Sequence, residues 1–453
     1  MARVGTAVAG ASPGTSSSLS IDAPALAGQE RWVGGMLYLA AVDPLAGVDV
    51  LGEPSLYWDS PQMREVVAGW GEAGAMVAGS AQEAREVLRL LSSAATVRWA
   101  GEVPASLPGP WFGGMRFAAE GKDEGWGPFG FGRWTLPERM VWREGDRLAA
   151  AAFVPEGPGA EEQVRALLVG LGANFPAGPL PSRRTAQALR VSSSRLDFER
   201  SVERATETIA QGRLQKVVLA RAVEIEGERP FAPVDVLARL REQNPRCTTF
   251  LFRASDGTAF LGATPETLCR WEGRELRTEA LAGTAPVAQA QELSGRDKER
   301  REHHAVVRYL LEVLGPLAER IDADEVPTLL TLKNMVHLRT SVRAQLREGV
   351  GVADLVAAMH PTPAVGGTPS AMALAFLLEH EGLDRGWYAA PVGWVGPGRA
   401  HQVVALRSAR VKGSKARLFV GAGIVAGSNA QAEWRETELK SLTMVRALGG
   451  TEG

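Results

Sequence analysis

One segment near the C-terminus, residues 419–440, constrains the fold more than any other stretch of this chain. It begins with the apolar run FVGAGIV, whose composition favours a buried strand. Gly421 and Gly423 interrupt that run, which indicates a strand that another group approaches closely. Ser428 and Asn429 then supply turn chemistry and a helix N-cap. The segment therefore predicts a strand, a tight turn and a helix in direct succession.

The helix predicted after this turn carries charged residues on one face. Glu433, Glu436 and Lys440 are spaced at i, i+3 and i+7. Glu299 and Glu302 form a second pair at i, i+3 in a helical pattern far upstream. If the four carboxylates converge, they need a cation to offset their repulsion, and oxygen-only ligands favour Mg²⁺ over zinc. The alternative for both pairs is an ordinary solvated helix with local charge pairs.

Composition limits the classes of partner. The 453 residues carry a formal net charge of −2, with 45% hydrophobic and 23% charged residues, which are ordinary globular values. Because there is no basic excess, neither nucleic acid nor an acidic membrane surface is implied. No apolar run approaches the roughly 18 to 20 residues that span a bilayer. Cys247 and Cys269 are the only cysteines, so no disulfide framework is expected, which fits a cytoplasmic protein.

The chain divides into three regions by pattern. Residues 1–30 are rich in Ala, Gly and Ser and predict a disordered tail. Residues 31–185 hold eight of the twelve tryptophans, which core packing explains, and end near a linker candidate at 176–184. Residues 186–450 contain the candidate site residues. Helices are predicted at 80–91, 196–211, 290–320, 353–359 and 370–378, and strands at 110–115, 129–131, 215–223, 248–252, 259–263, 389–395 and 403–410.

Two residues of the third region stand at the ends of predicted strands. Lys216 opens the apolar run KVVLA, where a buried ammonium is costly. A neutral lysine there can act as a base, and the alternative is a lysine whose ammonium reaches solvent. Glu266 follows a proline at the end of another strand, where it is either a functional side chain or a surface turn residue.

Two further residues interrupt apolar runs. His337, within MVHL, is interpreted as a hydrogen-bonded core histidine more readily than as a catalyst. Arg407, within VVALRS, is predicted to lie inside a strand. A guanidinium in such a place requires a carboxylate, which either the protein or a ligand can supply.

Taken together, these segments resemble the chorismate-utilising enzymes, and within that family its isochorismate synthase branch. The resemblance covers residues 194–448 and is weaker before them, where PWFGG carries it. The matching motifs are QKVVLAR, GATPETL, RTEALAGT, the helix of Glu302, HPTPAVGGTP, VALRSA and GAGIV…EWRETELK. The resemblance implies an α+β fold like that of anthranilate synthase component I, a large mixed α/β sandwich of two pseudo-symmetric halves. Residues 31–450 would then form one compact unit, with the linker candidate as an internal loop.

The resemblance also implies a metal site. Glu302 and Glu436 would bind Mg²⁺ directly, and Glu299 and Glu433 would hold its water ligands. The ion would bridge to the ring carboxylate of chorismate.

Roles in catalysis and substrate binding follow from the same resemblance. Lys216 would deprotonate a water that attacks ring C2, Glu266 would protonate the departing C4 hydroxyl, and His337 would help to place that hydroxyl. The residues implied in substrate binding are Gly283, Thr284, Ala364, Tyr388, Arg407, Gly421, Gly423 and Lys440.

Lys216 and Ala364 bear on the choice within the family. Anthranilate and aminodeoxychorismate synthases, which use ammonia, usually have a non-basic residue in place of Lys216 and need an amidotransferase subunit. Salicylate synthases share the lysine but typically have threonine in place of Ala364. The resemblance therefore implies an isomerase that acts on chorismate in menaquinone or siderophore biosynthesis, without an obligatory amidotransferase. A salicylate synthase, an ammonia-using synthase and a non-catalytic, metal-stabilised binding protein of the same fold are the alternatives.

Overall fold

The computed structural model describes residues 18–20, 31–39, 43–93, 96–100, 107–119, 125–144, 146–175, 187–293, 295–333 and 335–449. Within these residues the chain forms two large β-sheets with helices packed around them. The predicted disordered tail lies outside the described residues except at Ser18–Ser20, which form a short strand. The linker candidate at 176–184 also lies outside them.

Strands and helices alternate irregularly along the chain. The strands are β1 (Ser18–Ser20), β2 (Trp32–Leu39), β3 (Leu56–Ser60), β4 (Glu65–Trp70), β5 (Gly74–Ala78), β6 (Val97–Trp99), β7 (Trp111–Met115), β8 (Gly132–Leu136), β9 (Arg139–Glu144), β10 (Arg147–Pro155), β11 (Leu189–Ser192), β12 (Lys216–Gly227), β13 (Thr248–Arg253), β14 (Ala259–Thr264), β15 (Thr267–Glu272), β16 (Glu275–Pro286), β17 (Ala318–Ala323), β18 (Thr328–Thr331), β19 (Met335–Leu346), β20 (Gly367–Thr368), β21 (Pro391–Gly396), β22 (Arg399–Val404), β23 (Ser408–Lys412) and β24 (Lys415–Val425). The helices are α1 (Val48–Leu51), α2 (Ala81–Ser92), α3 (Ala160–Asn174), α4 (Arg195–Ala210), α5 (Pro233–Gln243), α6 (Ala290–Leu293), α7 (Asp297–Leu314), α8 (Val352–Met359), α9 (Ser370–His380) and α10 (Ala430–Ala447). In the described part of the chain, none of these helices is both long and apolar enough to span a membrane.

Each sheet contains strands from residues 31–185 and from residues 186–450. Among the described residues, the first sheet has eleven strands in the order β1-β5-β8-β7-β21-β22-β15-β16-β19-β17, with β18 also paired to β19. The second has thirteen in the order β11-β12-β24-β23-β14-β13-β3-β4-β9-β10-β2-β6, with β20 also paired to β12. The N-terminal strands join the C-terminal ones where β7 pairs with β21 and where β3 pairs with β13. Residues far apart in the sequence therefore support the same sheets.

Tryptophans fill much of the space between the two sheets. Trp32 of the second sheet meets Trp111 of the first edge to face, with ring centroids 5.0 Å apart. Trp58 of the second sheet meets His401 of the first in the same way at 5.1 Å. These three tryptophans are fully buried, and each removes roughly 150–250 Å² of side-chain surface from water. The interpretation of the N-terminal tryptophans as core residues is therefore confirmed.

Most of the predicted helices are present. The helix predicted at 80–91 is α2, whose N-cap Ser80 accepts a hydrogen bond from the backbone N–H of Glu83. The four apolar side chains spaced along one side of it are all buried, namely Ala84, Val87, Leu88 and Leu91. The helices α4, α8 and α9 begin at or next to the residues predicted for them.

The single helix predicted at 290–320 is wrong. The chain forms α6, a turn around Gly295, and then α7. Helix α7 ends at Leu314 because Gly315 and Pro316 follow, and proline has no N–H to continue the helical hydrogen bonds. The chain then enters β17. The charged segment with Glu299 and Glu302 nevertheless lies in α7.

Two predicted strands are also wrong. The predicted strand at 129–131 is instead the end of the 3-10 helix Gly127–Phe129 and a turn at Gly130, whose φ is +62°. The strand predicted at 403–410 is divided into β22 and β23. Arg407 lies between them with a φ of +47°, in the left-handed region, so that it cannot continue a strand.

The strand, turn and helix predicted at 419–440 are confirmed. They are the end of β24 and the beginning of α10, and Asn429 caps the helix by accepting a hydrogen bond from Ala432 N at 3.0 Å. Strand β24 pairs antiparallel with β12, which begins at Lys216. Helix α10 packs on β24, and α7 packs on β16 and β19 of the other sheet.

Candidate active site

One cavity between the two sheets collects every site residue named from the sequence. Its walls come from β12, β16, β19, β24, α7, α10 and the loops at 265–266, 364–365, 385–389 and 406–407. The predicted residues that line it are Lys216, Glu266, Gly283, Thr284, Glu299, Glu302, His337, Ala364, Tyr388, Arg407, Gly421, Gly423, Glu433, Glu436 and Lys440. The two acidic pairs therefore line one cavity, which the sequence left open. The chemical roles of these residues stay predictions.

Lys216 and Glu302 form an ion pair across this cavity. Lys216 is 7% exposed, and its Nζ lies 2.5 Å from Oε1 of Glu302 on α7. The alternative of a lysine that reaches solvent is wrong, because the side chain points into the cavity. The pair joins the start of β12 in the second sheet to the helix that packs on the first sheet.

Glycines on β24 leave room for these side chains. A Cβ at Gly423 would lie 3.1 Å from Cε of Lys216 and 3.5 Å from Oε1 of Glu302. A Cβ at Gly421 would lie 3.1 Å from the hydroxyl oxygen of Tyr388. The close approach that the sequence predicted for both glycines is thus confirmed.

A glycine bulge also sets the position of α7. Gly283 interrupts the pairing of β16 with β19 and has a φ of +74°. A Cβ at this residue would lie 2.8 Å from the backbone oxygen of Glu299. A side chain here would therefore clash with the first turn of α7, which carries Glu299 and Glu302.

Helix α10 supplies the other two carboxylates and a second ion pair. Lys440 Nζ lies 2.7 Å from Oε1 of Glu436 and donates a hydrogen bond to the backbone oxygen of Gly421 at 3.0 Å. Glu433 is buried, with 6% of its surface exposed. Lys440 therefore ties the charged face of α10 to the glycine-rich strand beneath it.

The four carboxylates provide the donor atoms that Mg²⁺ prefers. Within the described ranges, no three His, Cys, Asp or Glu side chains lie close enough together to enclose a metal ion. In proteins Mg²⁺ takes one or two carboxylates and completes its shell with water or substrate oxygens. Glu302 and Glu436, from two helices, fit that requirement, and each of them is paired with a lysine.

Glu266 has the environment of a protonated acid. It lies between β14 and β15, with its backbone N–H donated to Oγ1 of Thr264 at 3.2 Å. Burial and the neighbouring carboxylate of Glu279 raise the pKa of Glu266 to about 8, against the opposing charge of Lys216. The alternative of a surface turn glutamate is wrong, since Glu266 is 7% exposed.

His337 is neutral, and one of its two ring nitrogens has a hydrogen-bond partner within the described residues. Its Nδ1 forms a hydrogen bond of 2.8 Å with Oγ1 of Thr284, whereas its Nε2 is buried and has no partner within the described residues. Burial and the cations Arg407 and Lys440 lower the pKa of His337 to about 3. A neutral imidazole with one unused ring nitrogen can exchange a hydrogen bond with a ligand in the cavity.

Arg407 has a left-handed backbone conformation, and its side chain lines the cavity. Its Nη1 lies 3.9 Å from Sγ of Cys247, and it makes no ion pair with any carboxylate in the described ranges. Ala389, which also lines the cavity, has a φ of +58°. Left-handed backbone at residues other than glycine is uncommon and clusters at functional sites. The guanidinium of Arg407 thus lines the cavity without a carboxylate partner among the described residues.

Comparison with known proteins agrees with this geometry. A family model described as "Chorismate binding enzyme" matches residues 24–449. The chain belongs to the chorismate binding enzymes. The similarity extends over nearly its whole length, including the N-terminal part where the sequence motifs are weaker.

Three relatives show how similar this chorismate binding enzyme is to known proteins. The salicylate biosynthesis isochorismate synthase of Pseudomonas aeruginosa is 36% identical over 439 residues, which cover 91% of this chain and 90% of that protein. The isochorismate synthase MenF of Bacillus subtilis is 30% identical over 440 residues, covering 91% and 92%. The solved structure of MenF, the menaquinone-specific isochorismate synthase from Escherichia coli, matches with a TM-score of 0.76 at 29% identity and covers 93% of this chain and 95% of that one. The predicted fold class is confirmed.

Arg385 is a residue of this chorismate binding enzyme's cavity that sequence reasoning missed. It is buried and donates hydrogen bonds to the backbone oxygens of Val218 at 2.6 Å and Val365 at 2.8 Å, while Glu381 pairs with it. The sequence feature that could have indicated it is an arginine within GLDRGWY, three residues before Tyr388. The other lining residues that were missed are Val218, Pro265, Leu281, Ala282, Val365, Ala389, Leu406, Phe419 and Val420, whose apolar or small side chains give no chemical signal.

Proposed function

We propose that this protein is an isochorismate synthase, an isomerase that converts chorismate to isochorismate. The observation that carries the proposal is that Lys216, at the start of β12, and Glu266, between β14 and β15, line the same cavity. The reaction needs a base for the incoming water and an acid for the departing hydroxyl. Glu266, whose pKa is raised to about 8, suits the acid, and the amine of Lys216 is the proposed base.

The reaction balances without any further reactant. Lys216 accepts a proton from the water whose oxygen bonds to ring C2. The ring double bond shifts, and the bond from C4 to its hydroxyl breaks. Glu266 donates its proton to that hydroxyl, which leaves as water. His337 contributes a hydrogen bond that helps to place the hydroxyl, and the product has the mass of the substrate.

The cations of the cavity suit a dianionic substrate. Arg407 and Lys440, with the hydroxyl of Tyr388 and the backbone of Gly421 and Gly423, would hold the two carboxylates. Arg407 supports this role because it has no carboxylate partner of its own among the described residues. Such contacts position the ring between base and acid, which lowers the entropic part of the barrier.

Mg²⁺ is proposed as the cofactor on the chemistry of the donor set. Glu302 and Glu436 would hold it directly, and Glu299 and Glu433 would hold its waters. When bound, the ion would neutralise and orient the ring carboxylate. A chorismate-binding protein without activity would not need an amine and a protonated carboxylic acid in the same cavity.

The test is a chorismate assay with purified protein. With Mg²⁺, we expect a product of unchanged mass and no release of pyruvate; addition of EDTA should stop turnover. Stoichiometric pyruvate and salicylate would replace the proposal by a salicylate synthase. An aminated product formed with ammonium would replace it by an ammonia-using synthase, and binding of chorismate without turnover by a binding protein.

A further inference from the structure

Arg221 is a buried cation on β12 that the mechanism does not use. It is 7% exposed and lies five residues after Lys216 on the same strand. Its Nε donates a hydrogen bond of 2.8 Å to Oγ1 of Thr437, and its guanidinium carbon lies 3.8 Å from the ring centroid of Trp434. Both contacts are with α10.

This guanidinium is held without a carboxylate. In the described part of the chain Arg221 makes no ion pair, and its buried Nη1 has no hydrogen-bond partner. Burial lowers the pKa of Arg221 to about 10, and the charge of Glu438 offsets this only in part. Burying such a charge destabilises the fold unless contacts compensate for it, so stability alone does not account for Arg221.

The contacts of Arg221 fall on the turn of α10 that carries the acidic pair. Trp434 and Thr437 directly follow Glu433 and Glu436 in the sequence. The Thr437 hydroxyl accepts the hydrogen bond from Arg221 and donates one of 2.7 Å to the backbone oxygen of Trp434. The Arg221 side chain, the Thr437 hydroxyl and the Trp434 carbonyl thus form a series of hydrogen bonds from β12 into the backbone of α10. Such a series opposes rotation of the helix about its axis.

We propose that Arg221 is a positioning residue that fixes the rotation of α10 on β12, and so sets where Glu433 and Glu436 stand relative to Lys216. The proposal rests on the proposed function for the meaning of those carboxylates, but the rotation of the helix can be tested without it. Arg221 does not touch the cavity and takes no part in the chemistry.

Arg221→Met is the informative variant because stability and position should respond in opposite ways. Methionine fills most of the volume and removes a desolvated charge, a change that is often neutral or stabilising. We expect an unchanged or higher Tm, together with a ten- to hundredfold increase in the Mg²⁺ concentration for half-maximal effect. That effect is measured both as calorimetric Mg²⁺ binding and as activation of turnover. A lower Tm with unchanged Mg²⁺ binding would reduce Arg221 to a packing residue and overturn the proposal.

Two more variants complete the test. Arg221→Lys keeps the charge but loses the flat donor that both stacks and hydrogen-bonds, so it should not restore Mg²⁺ binding. Thr437→Val should reproduce part of the defect and be non-additive with Arg221→Met. Arg435→Met, at an exposed residue of the same helix, is the matched control and should behave as the wild type.

Crystal structures of the wild type and Arg221→Met separate this proposal from the proposed function. We expect α10 to rotate or slide in the variant, with the carboxylates of Glu433 and Glu436 displaced. If the helix superimposes in the two proteins, the positioning role is wrong even when chorismate is turned over. If the helix moves but the wild type neither binds Mg²⁺ nor converts chorismate, the positioning role stands and the proposed function fails.

Discussion

Lys216 Nζ lies 2.5 Å from Oε1 of Glu302, so the proposed base and a proposed metal ligand form one partly buried ion pair. Glu436 and Lys440 repeat this arrangement on α10 at 2.7 Å. Each carboxylate that is proposed to bind Mg²⁺ is therefore neutralised by a lysine that is proposed to act on the substrate. Because the pairs share charges, a change at either end of one is expected to alter both metal binding and turnover.

Replacing Lys216 by alanine should separate these two effects. Loss of the base is expected to lower kcat by about 10²–10⁴-fold. Chorismate should still bind, because Arg407 and Lys440 remain. Mg²⁺ should bind more tightly than to the wild type, since the cation beside Glu302 is gone. Rapid-quench kinetics and calorimetry measure the three quantities, with Lys415→Ala at an exposed strand residue as the control. Wild-type kcat in Lys216→Ala would rule out the base assignment.

Replacing Glu302 by glutamine should weaken the response to Mg²⁺. The amide removes a charged ligand while keeping the shape, so the Mg²⁺ concentration for half-maximal activity should rise by at least about tenfold. Glu312→Gln on the same helix is the control, because Glu312 is exposed and pairs with Arg308 on the surface of α7. A titration curve identical to that of the wild type would remove Glu302 from the proposed ligand set.

The pH dependence of kcat/KM should follow the ionisation of Glu266, the proposed acid. Glu266 must be protonated to donate, and its pKa is about 8, so kcat/KM should fall as the pH rises through 8. Glu279→Gln removes a charge that raises the pKa of Glu266, so the fall should move to lower pH. Glu272→Gln, at an exposed residue of β15, should leave it in place. An alkaline limb that stays fixed in Glu279→Gln would contradict the assignment.

The same pKa shift predicts a pH-dependent stability. The folded pKa of Glu266, about 8, lies above its usual value of 4.5, so the stabilisation is fully present below pH 4.5 and is lost as the pH rises to 8. Over that window the free energy of unfolding of the wild type should fall relative to that of Glu266→Gln. Urea denaturation of both proteins at pH 5 and pH 8 measures the difference, and parallel behaviour would show that Glu266 is ionised in the folded state.

The identity of the site residues could be predicted because their chemistry departs from their surroundings. Lys216 at the head of an apolar strand and the acidic pairs at helical spacing are visible in the sequence, and the strand, turn and helix at 419–440 have strong local signals. That the pairs meet depends on the packing of α7 and α10 on opposite sheets, which no local pattern encodes. The sequence alone therefore could not predict that the two acidic pairs line one cavity.

Other features of the site depend on tertiary context alone. Arg407 belongs to a run that favours a strand, yet its φ of +47° ends β22 and turns the guanidinium toward the cavity. Arg385 is surrounded by turn-forming residues, and its three partners lie on separate segments of the chain. Local propensity fails at Arg407, as is common where backbone strain serves a site, and the partners of Arg385 are set by tertiary packing.

Gly423→Ala tests whether the spacing of the Lys216–Glu302 pair matters for the chemistry. The backbone of Gly423 suits alanine, but its Cβ would lie 3.1 Å from Cε of Lys216, so the lysine must shift by a few tenths of an ångström. Because catalysis is sensitive to small displacements, kcat should fall by about tenfold while the Tm changes little. Gly170→Ala is the matched control, since it faces open space in α3 and should raise stability by up to about 1 kcal/mol without affecting kcat. Steady-state kinetics and thermal unfolding measure both variants; full activity in Gly423→Ala would mean that the pair tolerates displacement and that the glycine serves strand packing alone.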